Sequence, residues 1–196
     1  MAKKLLKINL GAGFNKISGF LSIDKEPSTK PDVLFDLETF PWIWKTNSVI
    51  NVIFNHSLEH LGQMVDTYKK IIKELYRICI DDAIIEIRAP WWRHDHWIAD
   101  PTHVRPITPL GLALLSKKNN EMWIKMGAAN SSLALWWGVD FQIVSLFYVS
   151  DATMWQRTFP GIPRDDINQQ KTLHENSNIN NLVCELQFSL VTKKNT

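Results

Sequence analysis

Three imidazoles and two further carboxylates crowd one short stretch of this chain: His94, Asp95, His96, Asp100 and His103 fall within ten residues. Neutral imidazole and carboxylate are the ligand types of zinc and iron sites. Their spacing matches no recognised metal pattern, so no residue is assigned as a metal ligand. The same imidazoles suit a second use, taking a proton from a hydroxyl or amine as it becomes a nucleophile. His103, in Asp100-Pro101-Thr102-His103-Val104-Arg105-Pro106, is the first candidate for that role and His96 the second. Arg93 and Arg105 flank the cluster, and guanidinium binds carboxylate or phosphate through paired hydrogen bonds. Trp91, with Trp92 and Trp97, offers a flat face for a sugar or planar acceptor, or a cover against water. Trp91, Arg93 and Arg105 are therefore the candidate substrate contacts.

A second constellation lies near the start of the chain. Leu5 to Leu10 reads as a strand and runs into Gly11-Ala12-Gly13; a second strand-like run, Phe20 to Asp24, ends in an acid. Glycines let backbone approach a bulky ligand with no Cβ between them. A carboxylate at the tip of the next strand can accept from both hydroxyls of a ribose. Together they read as a nucleoside pocket. The dinucleotide fingerprint fails, because its third glycine would fall at Lys16 and Asp24 comes too soon.

The remaining elements must carry these groups. A third strand is read at Asp32 to Leu37 and a fourth, nearly unbroken apolar, at Ser48 to Asn55. Met64, Val65, Tyr68, Ile71, Ile72, Leu75 and Ile78 recur at helical spacing, with lysines on the opposite side. Asp81-Asp82 reads as a turn and Ala83 to Ala89 as a fifth strand. Thr108 caps a short helix through Leu115, with Pro109 at its first position. Phe141 to Val149 and Leu182 to Val191 are the last two strands. The run from Phe14 to Ile17 is too short for a full helix after strand one, so that crossover is expected to be abbreviated or partly built by the segment around Lys16 to Gly19. Trp91 to Pro109 and Thr153 to Asn181 read as loops over the acceptor side, and long loops are usually functional or disordered. Alternating strands and helical connections imply a mostly parallel sheet, with one late strand entering antiparallel.

Composition restricts the setting. The chain has 196 residues, 45% apolar and 21% charged, with a net charge of +2. That is enough for one ordinary globular domain, residues 1–196. The small charge argues against nucleic acid as partner. No apolar run approaches the roughly 18 residues a membrane helix needs, and Lys7 and Asn9 interrupt any signal-peptide core. Cys79 and Cys184 read as buried thiols rather than a disulfide. The expected setting is cytoplasmic. Trp136-Trp137 reads as core or as the patch of a homodimer.

Asn9-Leu10-Gly11-Ala12-Gly13, Gly19 to Asp24, Asp32 to Leu37 and Asn55-His56-Ser57-Leu58-Glu59-His60-Leu61 occur in that order. Together they resemble the class I S-adenosylmethionine-dependent methyltransferases, in the branch with a His-x-Leu-Glu-His segment after strand four. The resemblance covers roughly Lys4 to Pro90. It implies a Rossmann-like α/β fold with a mostly parallel seven-stranded sheet, one antiparallel strand and helices on both faces. It implies S-adenosylmethionine as cofactor, with Leu10, Gly11, Ala12 and Gly13 under its methionine part and Asp24 on the ribose. Asp36 and Leu37 would lie by the adenine, and Asn55 and His56 on the sulfonium side. The acceptor would be a small molecule, a sugar or a protein side chain.

Two other readings compete. One is a metal-dependent hydrolase or oxygenase built on the His94/His96/His103 loop. The other is a protein that binds the cofactor without turnover. A nucleic-acid methyltransferase is disfavoured, because Asn55-His56-Ser57-Leu58 stands where that group often carries an Asn/Asp-Pro-Pro-Tyr/Phe motif. Ser57 or Glu59 is expected to begin the helix that follows, and His60 to be a packed or capping histidine.

Overall fold

The structure, a computed structural model, describes residues 5–194. Its centre is a seven-stranded sheet made of β1 (Leu6–Leu10), β2 (Leu21–Asp24), β3 (Val33–Leu34), β4 (Val49–Asn55), β5 (Cys79–Pro90), β6 (Phe141–Ser150) and β7 (Val183–Thr192). The spatial order is β3-β2-β1-β4-β5-β7-β6. β7 is antiparallel to both its neighbours, and the other adjacent pairs are parallel. The chain therefore winds outward from β1 to β3, then returns to lay β4 on the other side of β1. That reversal opens a crevice outside the carboxyl ends of β1 and β4, the usual ligand position in open α/β sheets.

Helices lie around the sheet: α1 (Val65–Ile78), α2 (Asp95–Ile98), α3 (Pro109–Ala113), α4 (Lys117–Lys125), α5 (Leu133–Trp137), α6 (Ala152–Thr158) and α7 (Asp166–Asn176). α1 buries Tyr68, Ile71, Ile72, Leu75 and Ile78, the stripe its spacing requires. They meet Ile8, Val52, Phe54, Ile85 and Ile87 in one continuous core. The segments linking β1 to β2, β2 to β3 and β3 to β4 contain no α-helix, only turns and a short 3-10 turn at Pro27–Thr29. On the sheet face opposite Ile8 and Val52, Lys7, Ile84 and Arg88 remain exposed. No helix among the described residues is long and apolar enough to cross a membrane.

Several sequence expectations change in detail. β3 is two residues, not six. The Asp32 carboxylate is taken up by the Ser22 N–H and hydroxyl, at 2.8 and 2.7 Å, and the chain turns again at Asp36. Asp81-Asp82 is a bulge inside a longer β5, with Asp82 at φ 57°, rather than a turn before it. The polar run from Thr153 to Asn181 is not a loop: it carries most of α6, which is capped by the Asp151 side chain and buries Trp155, and α7, which buries Leu173. Its glutamines look surface-like in sequence, yet the Gln170 amide bonds both the N–H and C=O of Tyr148, and Gln169 accepts from Ser150. They satisfy the free edge of β6, where another strand would otherwise pair. Trp137 is buried and its neighbour Trp136 exposed. Both cysteines are free, and burial pushes the Cys79 thiol up to about 12.

Candidate functional site

A cavity of about 460 Å³ opens at the carboxyl ends of β1, β2 and β4. It is lined by Gly11, Gly13, Asp24, Lys25, Phe35, Asp36, Leu37, His56, Ser57, His60, Leu61 and Thr102. Its size falls within the range of small-molecule sites. Six of the predicted cofactor residues meet there: Gly11, Gly13, Asp24, Asp36, Leu37 and His56. Ala12 and Leu10 are buried beneath the turn, and Leu10 contributes its carbonyl, which accepts from the Ser57 hydroxyl at 2.7 Å. Asn55, half-buried at the end of β4, is not among the lining residues.

The glycine turn has two different reasons. Gly11 sits at φ +67°, and a Cβ there would stand 2.5 Å from the Cβ of Ser57. Gly11 is thus required by the close passage of the segment after β4. Gly13, at φ +52°, would place a Cβ in open space with nothing within 4 Å. Its N–H donates to Asp24 Oδ2 at 2.7 Å, while Asp24 Oδ1 accepts from the Glu26 N–H at 2.9 Å. Each carboxylate oxygen keeps a second lone pair for an incoming hydroxyl. The backbone thus fixes Asp24 without consuming it. Phe35 packs edge-on against Trp44 and presents a flat group near Asp36 and Leu37.

Past His56 the chain makes a 3-10 turn, Leu58–His60, instead of the expected helix start. Ser57 caps nothing, since its hydroxyl goes to Leu10, and α1 begins only at Val65. His56 is held at φ 53° and its Nε2 meets Glu185 Oε2 of β7 at 2.7 Å. That hydrogen bond raises the His56 pKa above the ordinary histidine value. Burial pushes Glu185 upward, but the hydrogen bonds from His56 and Gln187 outweigh it and hold its carboxyl below the usual range. Glu185 carries no motif; its role shows only once β7 is paired with β5.

The loop after α2 folds back onto this turn. The N–H groups of Val104 and Arg105 both donate to the carbonyl of Glu59, at 2.9 and 3.1 Å. His103 is thereby set beside His60, ring centroids 4.6 Å apart, with Trp97 stacked behind it. Thr102 and His60 reach the cavity wall; His103 lies just behind them. His96 is elsewhere. It is exposed on α2 against His94, whose imidazole faces Asp151 at 3.9 Å. His94 and His96 lie together, but His103 packs with His60 instead, so the hydrolase or oxygenase reading built on all three has no support here. Trp91 is buried against Trp92 and Tyr148. Arg93 stacks on Trp92 at 4.2 Å and reaches the Asn178 carbonyl. Arg105 lies 4.1 Å over the Tyr68 ring and donates to the Gly62 carbonyl at 2.7 Å. None of these three lines the cavity.

Solved structures with the same architecture are numerous. A SAM-dependent methyltransferase from Archaeoglobus fulgidus superposes with TM-score 0.62 at 15% identity, over 98% of this chain and 87% of that one. The YcgJ protein of Bacillus subtilis gives 0.53 at 12% identity, over 99% and 94%. A putative S-adenosylmethionine-dependent methyltransferase from Listeria monocytogenes gives 0.50 at 12%, over 99% and 94%. No protein-family model and no curated protein sequence matches the chain. The protein therefore has the Rossmann-like fold of the class I S-adenosylmethionine-dependent methyltransferases, and fold by itself does not set the reaction.

Proposed function

We propose that this protein is a methyltransferase that uses S-adenosylmethionine to methylate a hydroxyl or amine of a small molecule, sugar or protein side chain. The observation that carries this reading is one cavity that joins the open glycine turn at Gly13, the fixed carboxylate of Asp24 and the Asp36–Leu37 pair at three adjacent strand ends. Open space at Gly13 admits the methionine part, the free lone pairs of Asp24 suit ribose hydroxyls, and Leu37 beside the Asp36 carboxylate suits adenine. The cofactor, when bound, supplies an electrophilic methyl group.

This chain's own task is then to place the acceptor and remove its proton, since positioning supplies much of the acceleration in such a transfer. His56 stands on the cavity wall with its ring oriented by Glu185, the arrangement of a base backed by a carboxylate. It takes the acceptor proton once it is itself neutral. His60 and Thr102 form the acceptor wall, with His103 behind them as a positioning group. His96, exposed and off the cavity, has no part in this arrangement.

A thermal-shift titration with S-adenosylhomocysteine tests the reading. At 100-fold excess over its dissociation constant a ligand adds about 2.7 kcal/mol to stability, a rise of several degrees. An unchanged melting temperature at millimolar ligand would overturn the assignment.

A further inference from the structure

We propose that Glu59, His60 and His103 form a binding site for one divalent transition-metal ion at the acceptor wall of the cavity. The three side chains each offer a donor atom, all within 4.8 Å of one another. Ligands of zinc sit about 2.0–2.2 Å from the ion, hence roughly 3.4 Å from one another in a tetrahedral site, so loading would draw the three donors together. Two histidines and one carboxylate, with a position left open, are the donor set of catalytic zinc and of non-haem iron.

The second observation is Glu59 itself. Its side chain is 0% exposed, and neither carboxylate oxygen has a hydrogen-bond partner. A buried carboxylate without partners is costly, and proteins resolve it by pairing, by metal binding or by protonation. Its nearest cationic neighbour, His56 Nδ1, stays 3.7 Å away.

The histidines are already in the ligand tautomer. His103 Nδ1 lies 2.8 Å from the Trp97 carbonyl, which can only accept, so Nδ1 carries a proton; in the neutral ring Nε2 holds the lone pair, 3.9 Å from Asp100 Oδ2. His60 Nδ1 lies 2.9 Å from the Thr102 hydroxyl. That hydroxyl spends its single proton on Asp100 at 2.6 Å, so it too must accept from His60. Imidazoles with Nδ1–H fixed by an oxygen and Nε2 free are the usual outer arrangement of metal-binding histidines.

The ion's role rests on the methyl-transfer reading: beside His60 and Thr102 it would hold the acceptor oxygen or nitrogen and ease loss of its proton. The test is cobalt(II) titration of chelator-treated protein followed by visible absorption, with zinc measured by competition against a chromophoric chelator. One equivalent should bind at micromolar affinity or tighter, and at least tenfold more weakly in Glu59→Gln and His103→Ala. His96→Ala should bind as the parent does. Absence of a stoichiometric cobalt or zinc complex, or equal affinity in the parent and both variants, overturns the site. Circular dichroism checks folding, and the parent titration decides even if a variant fails to fold. S-adenosylhomocysteine binding is measured on the same metal-free samples. Cofactor binding without metal binding rejects the metal site and leaves the methyl-transfer reading intact; the reverse result keeps the site and rejects that reading.

Discussion

His56, on the cavity wall, and Glu185 are 129 residues apart in the chain and meet at 2.7 Å. His56 follows the end of β4, while Glu185 lies on β7, which pairs with β5 through Pro90 and Glu185. The contact therefore exists only if the antiparallel insertion of β7 is in register. It links the last strand of the fold to a residue that lines the cavity.

This pair gives a pH signature. His56 is raised in the folded protein, so its contribution is full below the ordinary histidine value and is lost as pH rises through the folded one. Glu185 is lowered, so its contribution is full above the ordinary glutamate value and lost as pH falls through the folded one. The stability lost in Glu185→Gln should peak between about pH 4.5 and 6.5 and shrink on both sides in thermal melts. A difference independent of pH would contradict the pairing.

The two glycines of the turn should respond differently. Gly11→Ala meets Ser57 at 2.5 Å from a left-handed backbone and should cost about 2–4 kcal/mol in denaturant unfolding. Gly13→Ala meets nothing and should cost about 1–2 kcal/mol while weakening S-adenosylhomocysteine at least tenfold. Equal losses of stability would show that the close passage of Ser57 is not what demands Gly11.

Arg105 should act through packing. Its guanidinium over Tyr68 and its bond to Gly62 predict a loss of about 1–3 kcal/mol in Arg105→Ala, read by chemical denaturation. Cofactor affinity should stay within about twofold, by analogy with other packing contacts remote from a ligand. Full stability in this variant would return Arg105 to the list of acceptor contacts.

Glu59 offers a further pH test in metal-free protein. Burial raises its carboxyl above the ordinary range. Its protonated form is then the one the fold favours, so its contribution is present at low pH and lost as pH rises. Glu59→Gln should melt higher than the parent at pH 8 in chelator, and the gain should fade at pH 5. The opposite trend would mean that the carboxylate has a partner.

Much of the site was legible because it is local. Strand periodicity put Gly11, Gly13, Asp24 and His56 at strand ends, and parallel pairing brings such ends together. The histidine loop was harder. His94, His96 and His103 are neighbours in sequence, but α2 turns His96 outward while the Glu59 carbonyl pulls His103 inward. Glu185 and the Gln170 edge contact depend on β6 and β7 register, which periodicity alone does not give. Arg105 and Trp91 have the residue types of ligand contacts, but tertiary packing places Trp91 in the core and lays the half-buried Arg105 over Tyr68.

The measurement that bears most directly on the account is isothermal calorimetry with S-adenosylmethionine and S-adenosylhomocysteine, on the parent and on Asp24→Ala. The account predicts one site of micromolar affinity in the parent and at least tenfold weaker binding in the variant. No heat of binding in the folded parent, or equal affinity in Asp24→Ala, would contradict it.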